Sequence, residues 1–374
     1  LAEVANNLIQ YVRDEDLIWA FLGNASFYNG QGLYDKAEPW LQQCLEITKK
    51  RLGEEHPDVA NSLHNLAKLY RAQARYTEAE PLYLQALELR QRFLGQEHPD
   101  VATSLNGLAE LYREQARYTE AELLHLQALE LRQRLLGEEH PDVATSLNNL
   151  ALLYYFQGRY TEAEPLYLQV LELDQRLLGK EHPLVATSLN NLALLYHSQS
   201  RYPEAEQLYL QALELKQRLL GKEHPLVADS LHNLAGLYRD QGRYAEAEPL
   251  YVQALELTRR LLGDEHPDVA LSLHHLALLY NCQGRYAEAE PLYQQVLELW
   301  RRRLLGDEHP DVATSLNNLA KLYRSQGRYA EAEPLFQQAL EIFEQRLGVN
   351  HPNTVTVREN LANLREQLGS DTRD

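Results

Sequence analysis

The sequence of 374 residues contains no methionine, only two cysteines and no apolar run long enough to cross a membrane. The lack of such a run excludes an integral helical membrane protein, and no signal peptide is visible at the start. Because the chain begins at Leu1 and lacks methionine altogether, we expect it to be an excised segment of a longer protein.

The chain is also poor in basic residues. Lys and Arg number 36 against 54 for Asp and Glu, which gives a formal net charge of -18. This excess argues against nucleic acids and anionic membranes as general partners, because both are themselves negatively charged.

What the sequence has in abundance is repetition. The dipeptide His-Pro recurs every 42 residues, with a single step of 43, and a fixed period indicates one repeat array instead of several domains. Its histidines are His56, His98, His140, His182, His224, His266, His309 and His351. Cys44 and Cys282 lie more than five repeats apart and are not expected to pair, since only neighbouring repeats make contact. Unpaired cysteines fit a reducing, cytoplasmic compartment.

Each repeat predicts two helices, which we name helix A and helix B. Pro57 suits the first turn of helix A because its missing N–H would have no partner there. The helix is expected to end at the motif QGRY, whose glycine suits a left-handed conformation; Ala74, Ala116 and Ser200 take that place at some cost. The expected core positions of the helix A that begins at Pro57 are Val59, Leu63, Leu66, Ala67 and Tyr70.

Helix B is predicted to open with a capping box at Thr77 to Glu80, in which the hydroxyl and the carboxylate satisfy free backbone donors. Pro81 is expected at about the fourth helical position, near the end of the free N–H groups. Gly95 ends the helix, so the unit predicts an antiparallel hairpin. The expected core positions of this helix B are Ala79, Leu82, Tyr83, Ala86, Leu87 and Leu89.

The pattern of Ala67, Tyr70, Ala79, Tyr83 and Ala86 resembles the tetratricopeptide repeat. Within that superfamily, the 42-residue period and the stretch HPDVATSLNNLALLYYFQGRYTEAEPLYLQVLEL are similar to kinesin light chain repeats, over nearly the whole chain. The resemblance implies an all-α solenoid, a right-handed superhelix of helix-turn-helix hairpins whose concave wall, built by helix A, binds a partner. The near-identity of the repeats is typical of bacterial arrays.

The two ends of the array predict where it stops. Arg358 and Arg365 stand where the preceding repeat has Leu316 and Tyr323, so these arginines are expected to face water on a capping helix. The expected organisation is an N-terminal helix or remnant of an upstream domain at 1–14, eight hairpins at 15–352, a capping helix at 353–368 and a tail at 369–374.

Nothing in the sequence predicts catalysis, a cofactor or a metal site. The His-Pro histidines lie a full repeat apart, whereas a zinc site needs three or four convergent ligands. His232, His274 and His275 are expected to cluster on one surface as polar residues lining the groove. Cys282 lacks an orienting third residue and an oxyanion donor, so we expect a protein that is not an enzyme.

The face of helix A that packing leaves free, called here the helix A face, is the predicted binding surface. A row of asparagine amides can hold the backbone of an extended peptide, as the kinesin light chain resemblance implies, or can bond within and between helices. Six basic and four acidic side chains leave this face a net charge of +2, so we expect an acidic peptide with an apolar anchor. The predicted site residues are Asn65, Arg71, Arg113, Asn148, Asn149, Leu152, Tyr155, Phe156, Asn190, Asn191, Leu194, His197, Asn233, Arg239, His274, Asn318 and Arg324.

Two functions are compatible with this pattern. The first is a scaffold that binds a protein or peptide partner, similar in design to a kinesin light chain cargo-binding domain. The second is the sensor region of a larger signalling ATPase, in which the partner is a nucleotide-binding domain of the same chain.

Overall fold

A computed structural model describes residues 17–371, apart from the side chains at positions 17, 20, 302–304 and 369–371. The described residues form α-helices and one short π-helix and contain no β-strand, which confirms the all-α solenoid class. The helices A are α1 (Leu17–Gly30), α3 (Pro57–Ala72), α5 (Pro99–Glu114), α7 (Pro141–Phe156), α9 (Pro183–Ser198), α11 (Pro225–Asp240), α13 (Pro267–Cys282) and α15 (Pro310–Ser325). The helices B are α2 (Tyr34–Leu52), α4 (Tyr76–Leu94), α6 (Tyr118–Leu136), α8 (Tyr160–Leu178), α10 (Tyr202–Leu220), α12 (Tyr244–Leu262), α14 (Tyr286–Glu298) and α16 (Tyr329–Arg346).

A last helix, α17 (Pro352–Asp371), follows the eighth pair and runs past its predicted end at residue 368. Its Val357, Leu361 and Leu364 are buried, while Arg358 and Arg365 are exposed and form ion pairs with the preceding helix B. The helix predicted at 1–14 lies outside the described residues.

The chain divides into two compact units, the first of which ends at Asn149 and the second of which begins at Leu150. Among the helices other than α7, each helix A packs against its own helix B and each helix B against the next helix A. Within residues 17–371, no helix combines the length and the apolar character that a membrane span requires.

Small residues allow the paired helices to approach closely. Ala67, Ala79 and Ala86 are fully buried and Tyr83 fills the space between them, as the sequence predicted. The helix A core is confirmed at every predicted position, whereas Leu82 and Leu87 of helix B are only half-buried. Each repeat thus supplies one short stripe of core to its neighbours.

The histidine before each proline caps the following helix A. The His56 Nδ1 atom accepts a hydrogen bond from the backbone N–H of Asp58 at 3.1 Å, and Pro57 opens the helix. The same bond recurs at His98, His182 and other helix starts. The histidines therefore act as N-caps that fix the turn between repeats.

The predicted capping box of helix B is wrong. Helix α4 begins at Tyr76, so Thr77 lies inside the first turn, and the N-cap residue Arg75 makes no side-chain cap. The Arg75 guanidinium lies 4.0 Å from the Tyr70 ring centroid and binds Glu78 at 2.7 Å, while the capping-box carboxylate of Glu80 accepts a hydrogen bond from the Tyr112 hydroxyl at 2.9 Å. Pro81 is accordingly the sixth helical residue, not the fourth, and its helix lacks one backbone hydrogen bond.

This arginine arrangement recurs along the chain and joins neighbouring repeats. Arg75 also contacts Glu38 of the preceding helix B at 2.7 Å, and Arg243 contacts Glu206 in the same way at 2.8 Å. A guanidinium that stacks on a tyrosine and bridges two carboxylates fixes the turn between helix A and helix B.

The left-handed residues that end helix A are confirmed. Gly242 has φ 73°, and Ser200 occupies the equivalent place in the preceding repeat with φ 59°.

We expect Ser200→Gly to raise the free energy of unfolding by about 0.5–1 kcal/mol, because Ser200 is exposed and its Cβ strains this conformation. Gly242→Ala is the matched control and is expected to lower stability by about 1 kcal/mol, because alanine is strained at a positive φ. Nothing lies within 4 Å of the added Cβ, so this strain is the whole expected effect. Urea unfolding midpoints test both, and a stabilising Gly242→Ala would contradict the argument.

The single 43-residue step is absorbed in helix B of the seventh repeat. After α14 ends at Glu298, residues Leu299–Leu304 form a π-helix, which accommodates one extra residue without lengthening the turn. The helix bulges, and Trp300 at its start is only half-buried.

Candidate functional site

In the first unit, the cations predicted on the helix A face are already paired. Arg71 Nη1 lies 3.5 Å from carboxylate oxygens of both Glu110 and Glu114, and Arg113 Nη2 lies 2.9 Å from Glu110. Burial raises the pKa of Glu110, but the hydrogen bond with His125 and the charge of Arg113 lower it to about 2. Arg71, Arg113 and the two glutamates therefore form one internal network, and these two arginines are not singly available to an acidic ligand.

The second unit carries the predicted apolar cluster. Phe156 is 50% exposed at the end of α7, and Tyr155 packs edge to face against it at a centroid distance of 5.6 Å. Leu152 and Leu194, expected to be exposed, are half-buried and form the base of this surface. The Tyr155 hydroxyl lies 2.9 Å from Ser198 Oγ, which fixes the aromatic ring against α9.

A charged cluster follows on the same face of the second unit. Asp240 lies between the side chains of His197 and Arg239, with His197 Nε2 at 2.9 Å and Arg239 Nη2 at 2.8 Å from its carboxylate. Burial raises the pKa of Asp240, but the His197 hydrogen bond and the Arg239 charge lower it below its ordinary value. Arg239 is thus occupied by an internal partner. Lys321 and Arg324 are half-buried, and no ion pair of the described residues includes either of them.

The expected histidine cluster is present. Ring centroids of His232 and His275 are 5.6 Å apart, those of His274 and His275 are 5.7 Å apart, and the Tyr251 ring stacks on His275. Burial lowers the pKa of His232 and His274 to about 4 and, with the charges of its neighbours, lowers that of His275 to about 3. The cluster is neutral at physiological pH. Within residues 17–371, no group of three or more potential ligands is arranged to hold a metal ion.

Several asparagines of the predicted row bond to protein groups. Asn65 donates to the Asn61 carbonyl at 2.9 Å, and the Asn318 amide lies 3.5 Å from His274 Nε2 of the preceding repeat. Asn360, which the sequence analysis did not single out, donates to Asn317 Oδ1 at 3.1 Å. These bonds follow the alternative in which the amides bond within and between helices.

The remaining asparagines of the row are half-buried. They are Asn148, Asn149, Asn190, Asn191 and Asn233. The side-chain oxygen of Asn190 is buried without a hydrogen-bond partner among the described residues.

Packing explains why glycine replaces asparagine at position 107 and interrupts the row. A Cβ added there would lie 2.8 Å from both His64 Cε1 and Tyr83 Cε1. His64 and Tyr83 pack edge to face at 5.3 Å and fill the space that an asparagine takes elsewhere. In this repeat the rings of His64 and Tyr83 therefore leave no room for a side chain at position 107.

The family-level comparisons agree with this architecture. The family model described as tetratricopeptide repeat matches residues 16–92, 69–134, 100–174, 142–218, 185–260, 226–302, 268–345 and 317–372. A search of curated proteins gives no match.

Three solved structures are similar to the chain. A kinesin light chain-type protein of Podosopora anserina with nearly identical TPR-like repeats is 32% identical, with 54% of this chain and 96% of that chain covered and a TM-score of 0.45. The quorum sensor NprR from B. thuringiensis, in its apo form, is 16% identical over 91% of this chain and 92% of that chain, with a TM-score of 0.58. A Rap protein complexed with competence and sporulation factor is 15% identical over 94% and 99%, with a TM-score of 0.53. At this identity the last two show only a common fold. Because the family model covers the chain from residue 16 to residue 372, the protein belongs to the tetratricopeptide repeat family.

Proposed function

We propose that the chain is a non-catalytic scaffold whose helix A face binds an extended peptide of a protein partner. The single observation that carries this is Phe156, a large apolar side chain that is half exposed beside Tyr155. Exposed aromatic groups on an otherwise polar surface mark partner sites, and aromatic residues supply much of the binding energy at interfaces.

The anchor of the peptide is an aromatic or aliphatic side chain that packs between Phe156 and the half-buried leucines at 152 and 194. The acidic part of the peptide lies towards Lys321 and Arg324, since Arg71, Arg113 and Arg239 are held by internal carboxylates. Asn190, with its unpartnered oxygen, supplies a contact to the peptide backbone. The tetratricopeptide fold is in general an interaction scaffold, which supports a binding function for the chain.

A random-peptide display selection against the purified chain tests this proposal. We expect enrichment of peptides with an apolar anchor, and we expect Phe156→Ala to weaken their affinity by roughly 30-fold, because a buried aromatic anchor is worth about 2 kcal/mol. Leu168→Ala is the matched control, since Leu168 is 45% exposed on a helix B and should not affect affinity. Undiminished affinity in Phe156→Ala, or an equal loss in Leu168→Ala, would place the peptide elsewhere.

A further inference from the structure

One buried position near the end of each helix B, called here the inter-repeat position, varies in chemistry along the chain. Its residues are Thr48, Arg90, Arg132, Asp174, Lys216, Thr258, Trp300 and Phe343. All except Trp300 are buried, and three of them are cations. This row was not predicted from the sequence, although a basic residue at core spacing in helix B was a visible signal.

The two arginines show what this space accommodates. Arg90 Nη1 donates to the Asp100 carbonyl at 3.0 Å and to Ser104 Oγ at 2.7 Å, while Nη2 donates to Asn61 Oδ1 at 2.7 Å. In the next repeat, Arg132 makes the equivalent bonds to the Asp142 carbonyl, Ser146 and Thr103. A guanidinium from the chain itself thus fills the space between one hairpin and the next helix A.

In the seventh repeat the same space is a cavity. Trp300, the second residue of the π-helix, is half-buried and lines a cavity of about 250 Å³ there. Leu271 lines it where Asn61 and Thr103 stand in the other repeats, and Asp311 and Ser315 take the places of Asp100 and Ser104. Since one water takes about 30 Å³ in the liquid, the cavity has room for a planar polar group and part of its stem.

We propose that this cavity receives the guanidinium group of an arginine side chain from the bound partner. The inference rests on the proposed peptide-binding function and names one residue of that peptide. The surroundings are suited to a cation, because Asp268 and Asp311 line the cavity and the Trp300 ring offers an aromatic surface. His274 and Thr314 also line the cavity; His274 is half-buried, and its pKa, lowered to about 4 by burial, leaves it uncharged at neutral pH.

Arginine fits better than lysine for a geometric reason. The acceptors that Arg90 and Arg132 use are a backbone carbonyl and a serine oxygen on the same helical turn, and a planar fork of donors reaches both together. An ammonium group is a single point charge and is more strongly hydrated, so it gains less in a half-closed apolar cavity.

The first test uses acetyl-arginine methylamide as the probe and the indole N–H resonance of Trp300, identified by its loss in Trp300→Phe. We expect a saturable shift of this resonance with a Kd of about 1 mM, the range of single side-chain ligands. The citrulline derivative has the same shape without the charge and should give no shift. Absence of a shift with the arginine derivative, or an equal shift with citrulline, would overturn the proposal.

Two matched variants locate the effect. Asp311→Asn should weaken the probe at least threefold, whereas Asp142→Asn, at the equivalent position where Arg132 fills the space, should leave it unchanged. A joint Arg302→Ala, Arg303→Ala variant should bind the probe equally well. A gain in affinity there would assign the cavity to the chain's own arginines and would overturn the proposal.

A second experiment separates this inference from the proposed function. Selected peptides that contain arginine are remade with citrulline and measured against the unmodified chain, Phe156→Ala and Asp311→Asn. We expect citrulline to weaken binding to the unmodified chain but not to Asp311→Asn. If peptide affinity requires Phe156 but not arginine, the proposed peptide site on the helix A face is supported and the cavity proposal fails. The arginine probe could shift the Trp300 resonance while no peptide depends on Phe156. In that case the proposed peptide site fails, but the cavity still binds an arginine side chain.

Discussion

Gly107→Asn is expected to destabilise the chain by about 3 kcal/mol, although it restores the residue that most other repeats carry. The added Cβ would lie 2.8 Å from ring carbons of His64 and Tyr83, closer than non-bonded atoms approach, and both rings are confined by packing. Replacing a helical glycine gains about 1 kcal/mol of helix propensity, which offsets only part of the clash.

The double variant His64→Asn, Gly107→Asn should recover most of this loss. Without the His64 ring, Tyr83 has room to move away from position 107. The resulting combination of one tyrosine and two asparagines already occurs in another repeat, at Tyr209, Asn190 and Asn233. Urea unfolding of the four forms gives a double-mutant cycle, and we expect a coupling of at least about 2 kcal/mol. Additive effects would show that the two residues are independent and that contact with His64 does not explain the glycine at position 107.

The second large effect is a loss of stability in acid that arises from the histidine cluster. His232 and His275 have pKa values lowered from 6.5 to about 4 and about 3, by burial first and for His275 also by the charges of neighbouring groups. The folded chain therefore keeps both rings neutral, while the unfolded chain takes up protons below pH 6.5. Stability is present above pH 6.5 and is lost as the pH falls towards the folded values.

At pH 5 the expected loss is about 2 kcal/mol for each histidine, since one pKa unit corresponds to about 1.4 kcal/mol. The groups that face the two rings are Tyr251, His274 and Arg239, and none of them supplies a negative charge that would compensate protonation. Acid should therefore weaken the second unit first.

The variant His232→Asn, His275→Asn replaces the pair by the asparagines of other repeats and tests this directly. At each pH we compare the unfolding free energy of the variant with that of the unmodified chain. We expect this difference to be more favourable to the variant at pH 5 than at pH 7.5, by up to about 4 kcal/mol. Urea midpoints measured at both pH values decide the matter. Parallel stability profiles for the two chains would show that the histidines do not carry the acid sensitivity.

The repeat period, the helix pairs and the helix A core were all available from the sequence, because each depends on residues within one turn or one hairpin. Val59, Leu63 and Leu66 follow helical spacing, and Ser200 takes a left-handed conformation because a tight turn demands it. The start of helix B could not be read in the same way. There Arg75 binds Glu38 of the preceding repeat as well as Glu78, and this long-range contact outweighed the local capping signal at Thr77.

The sequence by itself thus determined the family, the all-α class and the row of residues that faces away from the helix pairs. Only the tertiary structure decided which of these residues are available. Residues 40 to 44 positions apart meet across neighbouring repeats, as in the pairs of His197 with Asp240 and Asn318 with His274. Whether such a side chain binds its neighbour or a ligand depends on the register and rotamers of two helices, and a π-helix at Leu299 changes that register for one repeat alone.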